Sequence, residues 1–207
     1  MKSFRPFLAL YAGPALLVAL LPATHGTLLY DRAAVLHGEW WRLWTGHWVH
    51  FYASHLFWNL AVLLVTGGWL EQIRPGALLR CTLFIPPLIS IAFLVFAPAM
   101  QAYGGLSGLA TATTVLLALA KLADDHPARA QWLTVLLLVA VKIILDGTLG
   151  RPLFSDFSGT AIHTSALAHA MGAILAAVLF LSLRTGSCLP LSGSGPAGLD
   201  QPGKFSR

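Results

Sequence analysis

Charge is what this sequence lacks most. Only 10% of its 207 residues are Asp, Glu, Lys or Arg, where an ordinary soluble domain carries about 25%. That deficit excludes a chain whose surface is hydrated all round. Cysteine is nearly absent too: there are two, Cys81 and Cys188. Neither has His or Cys neighbours at metal-ligand spacing, which leaves out a cysteine-built metal centre. No internal repeat is visible, so solenoid architectures drop out. One domain is the natural reading of the length.

What fills the space is apolar. Hydrophobic residues make up 57% of the chain and the mean hydropathy is +0.72. Apolar runs near 6–22, 52–70, 81–100, 106–122, 131–146 and 161–183 approach the roughly 17–25 residues that cross a bilayer as helix. The expected fold class is therefore an all-α membrane protein with six transmembrane helices over 1–184. Residues 185–207, rich in Gly, Ser and Pro, read as a disordered tail.

The net charge is +5, and its placement says more than its size. Lys2, Arg5, Arg74, Arg80, Lys121, Arg129, Arg184, Lys204 and Arg207 fall at one set of alternate ends of the runs. Arg32, Arg42 and Arg151 fall at the other, and Lys142 lies inside a run. The positive-inside rule then places both termini in the cytoplasm. Such alternation is not a nucleic-acid patch, and no nucleic acid partner is expected. The first run follows Lys2 and Arg5 as a signal peptide would. A retained helix is the better reading, because its removal would strand the tail on the wrong side. Cys81 and Cys188 both fall on the reducing cytoplasmic side, so no disulfide is expected.

The connections carry their own information. The long 23–51 segment is periplasmic on this topology and contains GEWWRLW, with aromatics suited to a membrane interface. DGTLGRPLFSDFSG, from Asp146 onward, reads as a mobile periplasmic loop. From Ser107 to Leu122 the fourth run is only about 24 Å of helix, short of the roughly 30 Å hydrocarbon core. That helix then starts below the periplasmic surface, and the chain entering it, Ala102-Tyr103-Gly104-Gly105, dips to membrane depth. Irregular backbone is tolerated there only within protein or beside water, which implies a wet pocket with Ser107 at its floor.

Three groups of residues could carry chemistry. Gly104-Gly105-Leu106-Ser107-Gly108 opens the fourth run. Glycines allow tight backbone approach, and a serine at a helix N-terminus has free amides beside it that can hold an oxyanion. A simple helix cap is the plainer reading. His169 lies in the last run at a depth comparable to Ser107, with Gly172 and Ala176 on the same face. Small residues there let the helix approach a neighbour closely, and intramembrane ionisable groups are functional by default. A histidine satisfied by backbone is the plainer reading. His50, His55 and Asn59 form the third group. His55 and Asn59, at i and i+4, share a helix face, and both can donate to an oxyanion. Interhelical hydrogen bonding or haem or metal ligation by histidines compete with that reading. His50 and His55, five apart, do not share a face, and no Cys or carboxylate joins them.

Together, Trp41-Arg42, His50, His55, Asn59, Gly67-Gly68, Glu71, Gly105-x-Ser107-Gly108 and Ala168-His169-x-x-Gly172 resemble the rhomboid intramembrane serine proteases. The resemblance spans 5–184 in order, spacing and run assignment. It implies a six-helix bundle with a Ser107–His169 dyad that has no acid member and no cofactor or metal. It implies an oxyanion hole from His55, Asn59 and the Ser107 amide. His50 would help hold water and loop near the site. Trp41 and Arg42 would shape the first periplasmic loop, and Glu71 would anchor the cytoplasmic end of the second span. Two positions depart from the common pattern: Thr111 stands where an aromatic often follows the serine, and Ala176 replaces a second glycine.

The short length and the stretch LLYDRAAVLHGEWWRLWTGHWVHFYASHLFWNL are similar to one subgroup, the rhombosortases. That similarity implies substrates with a C-terminal Gly-Gly motif, a hydrophobic helix and a basic tail. The activity implied is a serine endopeptidase of the bacterial inner membrane, with transmembrane-anchored proteins and lipids as partners. A non-catalytic rhomboid-like receptor or chaperone is the alternative, though such relatives typically lack the serine or the histidine and this chain has both.

Overall fold

The computed structural model describes residues 4–124, 127–149 and 166–186. Lys2, Arg151, Cys188, Lys204, Arg207, most of the loop after Asp146 and the tail from 187 onward lie outside the described residues. The described residues are helical nearly throughout. Helix α1 (Phe4–Leu20) leads through a 3-10 turn (Pro22–Thr24) to α2 (His25–Leu28), strand β1 (Tyr30–Asp31), α3 (Arg32–Leu36), α4 (Arg42–Thr45) and a second 3-10 turn (Gly46–Trp48). There follow α5 (Ala53–Val62), a π turn (Leu63–Gly67) and α6 (Gly68–Ile73), which run on as one rod, then α7 (Ala77–Phe96) and β2 (Ala102–Tyr103). The last helices are α8 (Ser107–Ala123), α9 (Arg129–Leu149) and α10 (Ala166–Gly186).

Among the described residues, four rods are long and apolar enough to cross a membrane: Ala53–Ile73, Ala77–Phe96, Arg129–Leu149 and Ala166–Arg184. Two shorter apolar helices accompany them, Tyr11–Leu20 within α1 and the whole of α8. Each expected run is matched by a helix, with ends shifted by a few residues. One shift matters: α9 continues through Asp146 to Leu149, where the sequence reading began a loop at Asp146.

Helix α8 is the centre of the bundle. Its apolar residues Leu109, Ala112, Val115, Leu116 and Ala118 are buried, and α10, α9, α7 and the π turn pack round it. The outer helices turn large apolar side chains outward instead, among them Phe84 and Phe96 on α7, Leu137 and Ile144 on α9, and Val178 on α10. A girdle of that kind suits lipid and not water. Between helices in lipid there is little hydrophobic gain, so close packing of small residues must hold them. The α8–α10 crossing shows it: a Cβ placed on Gly172 would stand 2.2 Å from the Gly108 carbonyl oxygen.

Polar anchors fix the ends. Asp31 caps α3, accepting from the Ala34 amide at 2.9 Å. Arg32 donates to the carbonyls of Phe93 and Leu94 at the end of α7, where orphan carbonyls favour a cation. Pro87 has no amide, so the Leu83 carbonyl of α7 loses its helical donor; the Trp44 indole supplies one at 2.9 Å. Glu71 accepts from the amides of Gly76 and Leu78 at 2.7 and 3.1 Å. It thereby caps α7 and ties it to α6.

Candidate active site

Loop chemistry builds the floor of the site. β1 pairs antiparallel with β2, Tyr30 opposite Tyr103, which joins the long first connection to the segment entering α8. Arg42 holds that connection from within. It is buried, ion-paired to Glu39 at 2.6 Å and donating to the carbonyls of Gly26 and Leu29 at 2.8 and 2.7 Å. Trp41 is half exposed and donates to the Thr27 carbonyl at 3.1 Å. Both residues bond to backbone carbonyls of the first connection.

Ser107 is the first residue of α8. Amides of a helix's first turn have no carbonyl four residues back to bond, so the Ser107 and Gly108 N–H groups can face an anion. Gly105 precedes it with φ of +130°, a conformation that side chains other than glycine's rarely adopt. A Cβ there would lie 2.6 Å from His55 Cε1 and 3.5 Å from Asn59 Nδ2. The backbone at Gly105 thus presses directly against the two side chains read as oxyanion donors. Both are buried.

His50 has a more definite part than holding water. Its Nδ1 lies 3.0 Å from the Trp48 carbonyl, which can only accept, so Nδ1 carries the proton. Its Nε2 is then an acceptor, 3.1 Å from the Asn59 amide nitrogen and 3.3 Å from the Leu106 backbone nitrogen. His50 therefore holds Asn59 with one amide hydrogen, leaving the other free, and pins the turn just before Ser107. Burial pushes the His50 imidazole down to about 3, with His55 beside it adding to the effect, which keeps it neutral and able to accept.

His169 on α10 is 2% exposed and follows Ala168, where α10 crosses the start of α8. A Cβ on Gly108 would stand 3.0 Å from the Ala168 carbonyl oxygen, so the start of α8 and the turn of α10 that carries His169 pack backbone to backbone. The two departures noted in the sequence are filled quietly. Thr111 bonds back to the Ser107 carbonyl at 2.9 Å, and Ala176 is fully buried.

Three residues that the sequence did not single out belong to this neighbourhood. Tyr103 donates to the Gly105 carbonyl at 3.0 Å and lies 3.5 Å from the Ser107 hydroxyl; burial pushes its phenol up to about 12, so it stays a donor. His47 is buried and reaches Ser90 of α7 at 3.1 Å, while Ser90 donates onward to the Leu43 carbonyl. Burial lowers His47 to about 4, so the link is a neutral one. Asp146 of α9 is the third, and its Oδ2 lies 2.9 Å from His169 Nδ1. An acid thus stands behind the histidine, where the resemblance implied none. The signal was present: Lys142 and Asp146 are i and i+4 in an otherwise apolar helix, and ionisable residues in such helices are functional by default.

Among the described residues no three His, Cys, Asp or Glu side chains converge as metal ligands would. A cavity of about 340 Å³ lies at the far end of α8, lined by residues such as Leu116, Asp124, Phe180 and Arg184. None of the site residues above borders it. The family model described as Rhomboid domain matches residues 37–185, a stretch that holds His50, His55, Asn59, Ser107, Asp146 and His169. The chain belongs to the rhomboid family. It is a multi-pass membrane protein of that family, whose members are in general serine proteases acting on transmembrane substrates. No curated protein gives a significant match to it.

Proposed function

We propose that this rhomboid-family chain is an intramembrane serine endopeptidase with Ser107 as nucleophile and His169 as base. The observation that supports the reading is the packing at one helix start: Ser107 leads α8, His55 and Asn59 lie against Gly105, and α10 packs onto Gly108 at Ala168, the residue before His169. His169 Nε2 takes the Ser107 hydroxyl proton as Oγ bonds to the substrate carbonyl carbon. The oxyanion is met by the Ser107 amide, His55 and the free amide hydrogen of Asn59. His169 then gives its proton to the leaving amine as the C–N bond breaks. Water completes the cycle: its oxygen bonds to the acyl carbon as its proton goes to Nε2, and the ester bond to Oγ then breaks as Nε2 returns that proton to Ser107.

Six spans with both termini in the cytoplasm, in a bacterial inner membrane, fit this chemistry. The lysines and arginines support that topology, and the site then faces the periplasmic side. The substrate class we favour is an exported protein with a C-terminal Gly-Gly pair ahead of its membrane anchor, on the similarity to rhombosortases. The test is labelling of purified protein with a serine-reactive fluorophosphonate. Native protein should label, and Ser107→Ala and His169→Ala should not. In cleavage assays Ser107→Ala, His169→Ala and their combination should be equally inactive, since the two act as a unit. Cleavage by well-folded Ser107→Ala would end the serine reading.

A further inference from the structure

Helix α9 is apolar from Trp132 to Leu149 except for polar Thr134 and Thr148, Gly147 and two ionisable residues, Lys142 and Asp146. Asp146 is also the buried residue of that helix, and its side chain has no exposed surface. A carboxylate inside a membrane helix is costly and calls for a partner. Lys142, one turn away, supplies the countercharge, its Nζ 2.5 Å from Asp146 Oδ2. That pair would be complete without a histidine. Yet the same Oδ2 also meets His169 Nδ1 at 2.9 Å, and Lys142 Nζ lies 3.3 Å from that nitrogen.

The proton logic follows from what each group can do. An ionised carboxylate only accepts, and an ammonium only donates. Facing Asp146, Nδ1 of His169 must carry its hydrogen, and Nε2 is left with the lone pair that a general base needs. Facing Lys142 alone, Nδ1 would have to accept, and the hydrogen would sit on Nε2, where it blocks uptake of the serine proton. We propose that Asp146 is the positioning residue of the His169 base, making the site a Ser107–His169–Asp146 triad, and that Lys142 balances the buried carboxylate. The reacting protons all pass through His169 Nε2, from Ser107 to the leaving amine and then from water back to Ser107; the Nδ1 hydrogen stays between His169 and Asp146 throughout. This inference rests on the serine protease reading.

The arrangement predicts that Lys142 changes sign. Beside Asp146 it supports the site; with Asp146 removed it locks His169 in the wrong tautomer. The experiment uses the full chain in detergent, labelled with 15N-histidine, and a cleavage assay on a transmembrane substrate. The His169 signals are identified by comparison with His169→Gln. In native protein His169 should be the Nδ1–H tautomer. In Asp146→Ala it should become Nε2–H, and kcat should fall by about 10²–10⁴ with KM little changed, by analogy with loss of the acid in a soluble triad. Adding Lys142→Met to Asp146→Ala should return part of the Nδ1–H signal and raise kcat, whereas Lys142→Met alone should not raise it. Asp146→Asn, of the same shape, replaces Asp146→Ala if the latter does not fold. Native tautomer and kcat within about threefold of native in either Asp146 variant would overturn the proposal, as would no gain on removing Lys142. Ser107→Ala separates the two ideas. If it is inactive while the Asp146 variants are native-like, the acid's role alone fails; if it still cleaves, the serine reading itself fails.

Discussion

The carbonyl oxygen of Gly108 lies where the first side-chain atom of any other residue at 172 would stand, 2.2 Å from an ideal Cβ on Gly172. No rotamer relieves that contact, because both partners are backbone. Helices α8 and α10 therefore owe their close approach to the absence of one methyl group, and the proposed dyad depends on that approach. Gly172→Ala should force the helices apart, at a cost of about 1–3 kcal/mol as for other overpacked sites. The thermal midpoint in detergent should fall, and fluorophosphonate labelling of Ser107 should fall further than stability does. Native labelling in Gly172→Ala would mean that the helices tolerate a wider crossing.

Gly105 offers a cleaner separation of activity from folding. Its φ of +130° and the 2.6 Å approach of His55 Cε1 to an ideal Cβ both penalise a side chain. The flexible partner here is His55, which can swing away at the expense of the oxyanion pocket. Gly105→Ala should fold, with a modest loss of stability, and should lose turnover on the order of 10²–10³, the range for one missing oxyanion donor in a soluble protease. Equal KM and lower kcat in a steady-state assay would be the expected pattern.

His50 makes stability depend on pH. Its ordinary value of 6.5 falls to about 3 in the folded protein. The unfolded chain therefore takes up a proton that the folded chain refuses. The contribution of neutral His50 is present in full above 6.5 and is lost as pH falls from 6.5 toward 3, by about 1.4 kcal/mol per pH unit. Protonated, Nε2 could no longer accept from Asn59 and Leu106. Thermal midpoints followed from about pH 7 down to about pH 5 should drop in native protein. His50→Gln should start lower and fall less steeply, with the remaining slope carried by groups such as His47. Parallel slopes would show that His50 is not buried in the neutral form.

How much of this was legible beforehand depends on range. Ser107, His169, His55 and Asn59 stand out because each is polar within an apolar run, and a run is read locally. The helices themselves were visible for the same reason. Asp146 stands at the boundary between the 131–146 run and the loop that follows, and there it signifies nothing; one turn after Lys142 on a helix that continues to Leu149 it is half of an ion pair. The bonds from His47 to Ser90, Trp44 to Leu83 and His50 to Leu106 join residues 43, 39 and 56 positions apart. No periodicity announces such pairs. Pro87 hints that α7 has a carbonyl to spare, but only the fold shows that Trp44 takes it.

Substrate choice can be tested through backbone chemistry. A serine at the start of a short, enclosed helix can reach only a carbonyl that is not already bonded within the substrate's own helix. A Gly-Gly pair at the edge of an anchor frees such carbonyls, since each glycine disfavours helix by about 1 kcal/mol relative to alanine. The pair also has no Cβ to collide with the backbone of Gly104 and Gly105. At Gly104, a Cβ of the protein's own would stand 2.9 Å from the Val49 carbonyl and 3.0 Å from Phe51, so the segment entering α8 is tightly packed. Basic residues after the anchor would keep its C-terminus in the cytoplasm and present the pair on the periplasmic side. A substrate with Gly-Gly should be cut, and its Leu-Leu counterpart should insert equally well yet be cut far more slowly. Equal cleavage of the two, or equal cleavage of anchors that lack the pair, would remove the Gly-Gly preference and leave a protease of broad transmembrane substrates.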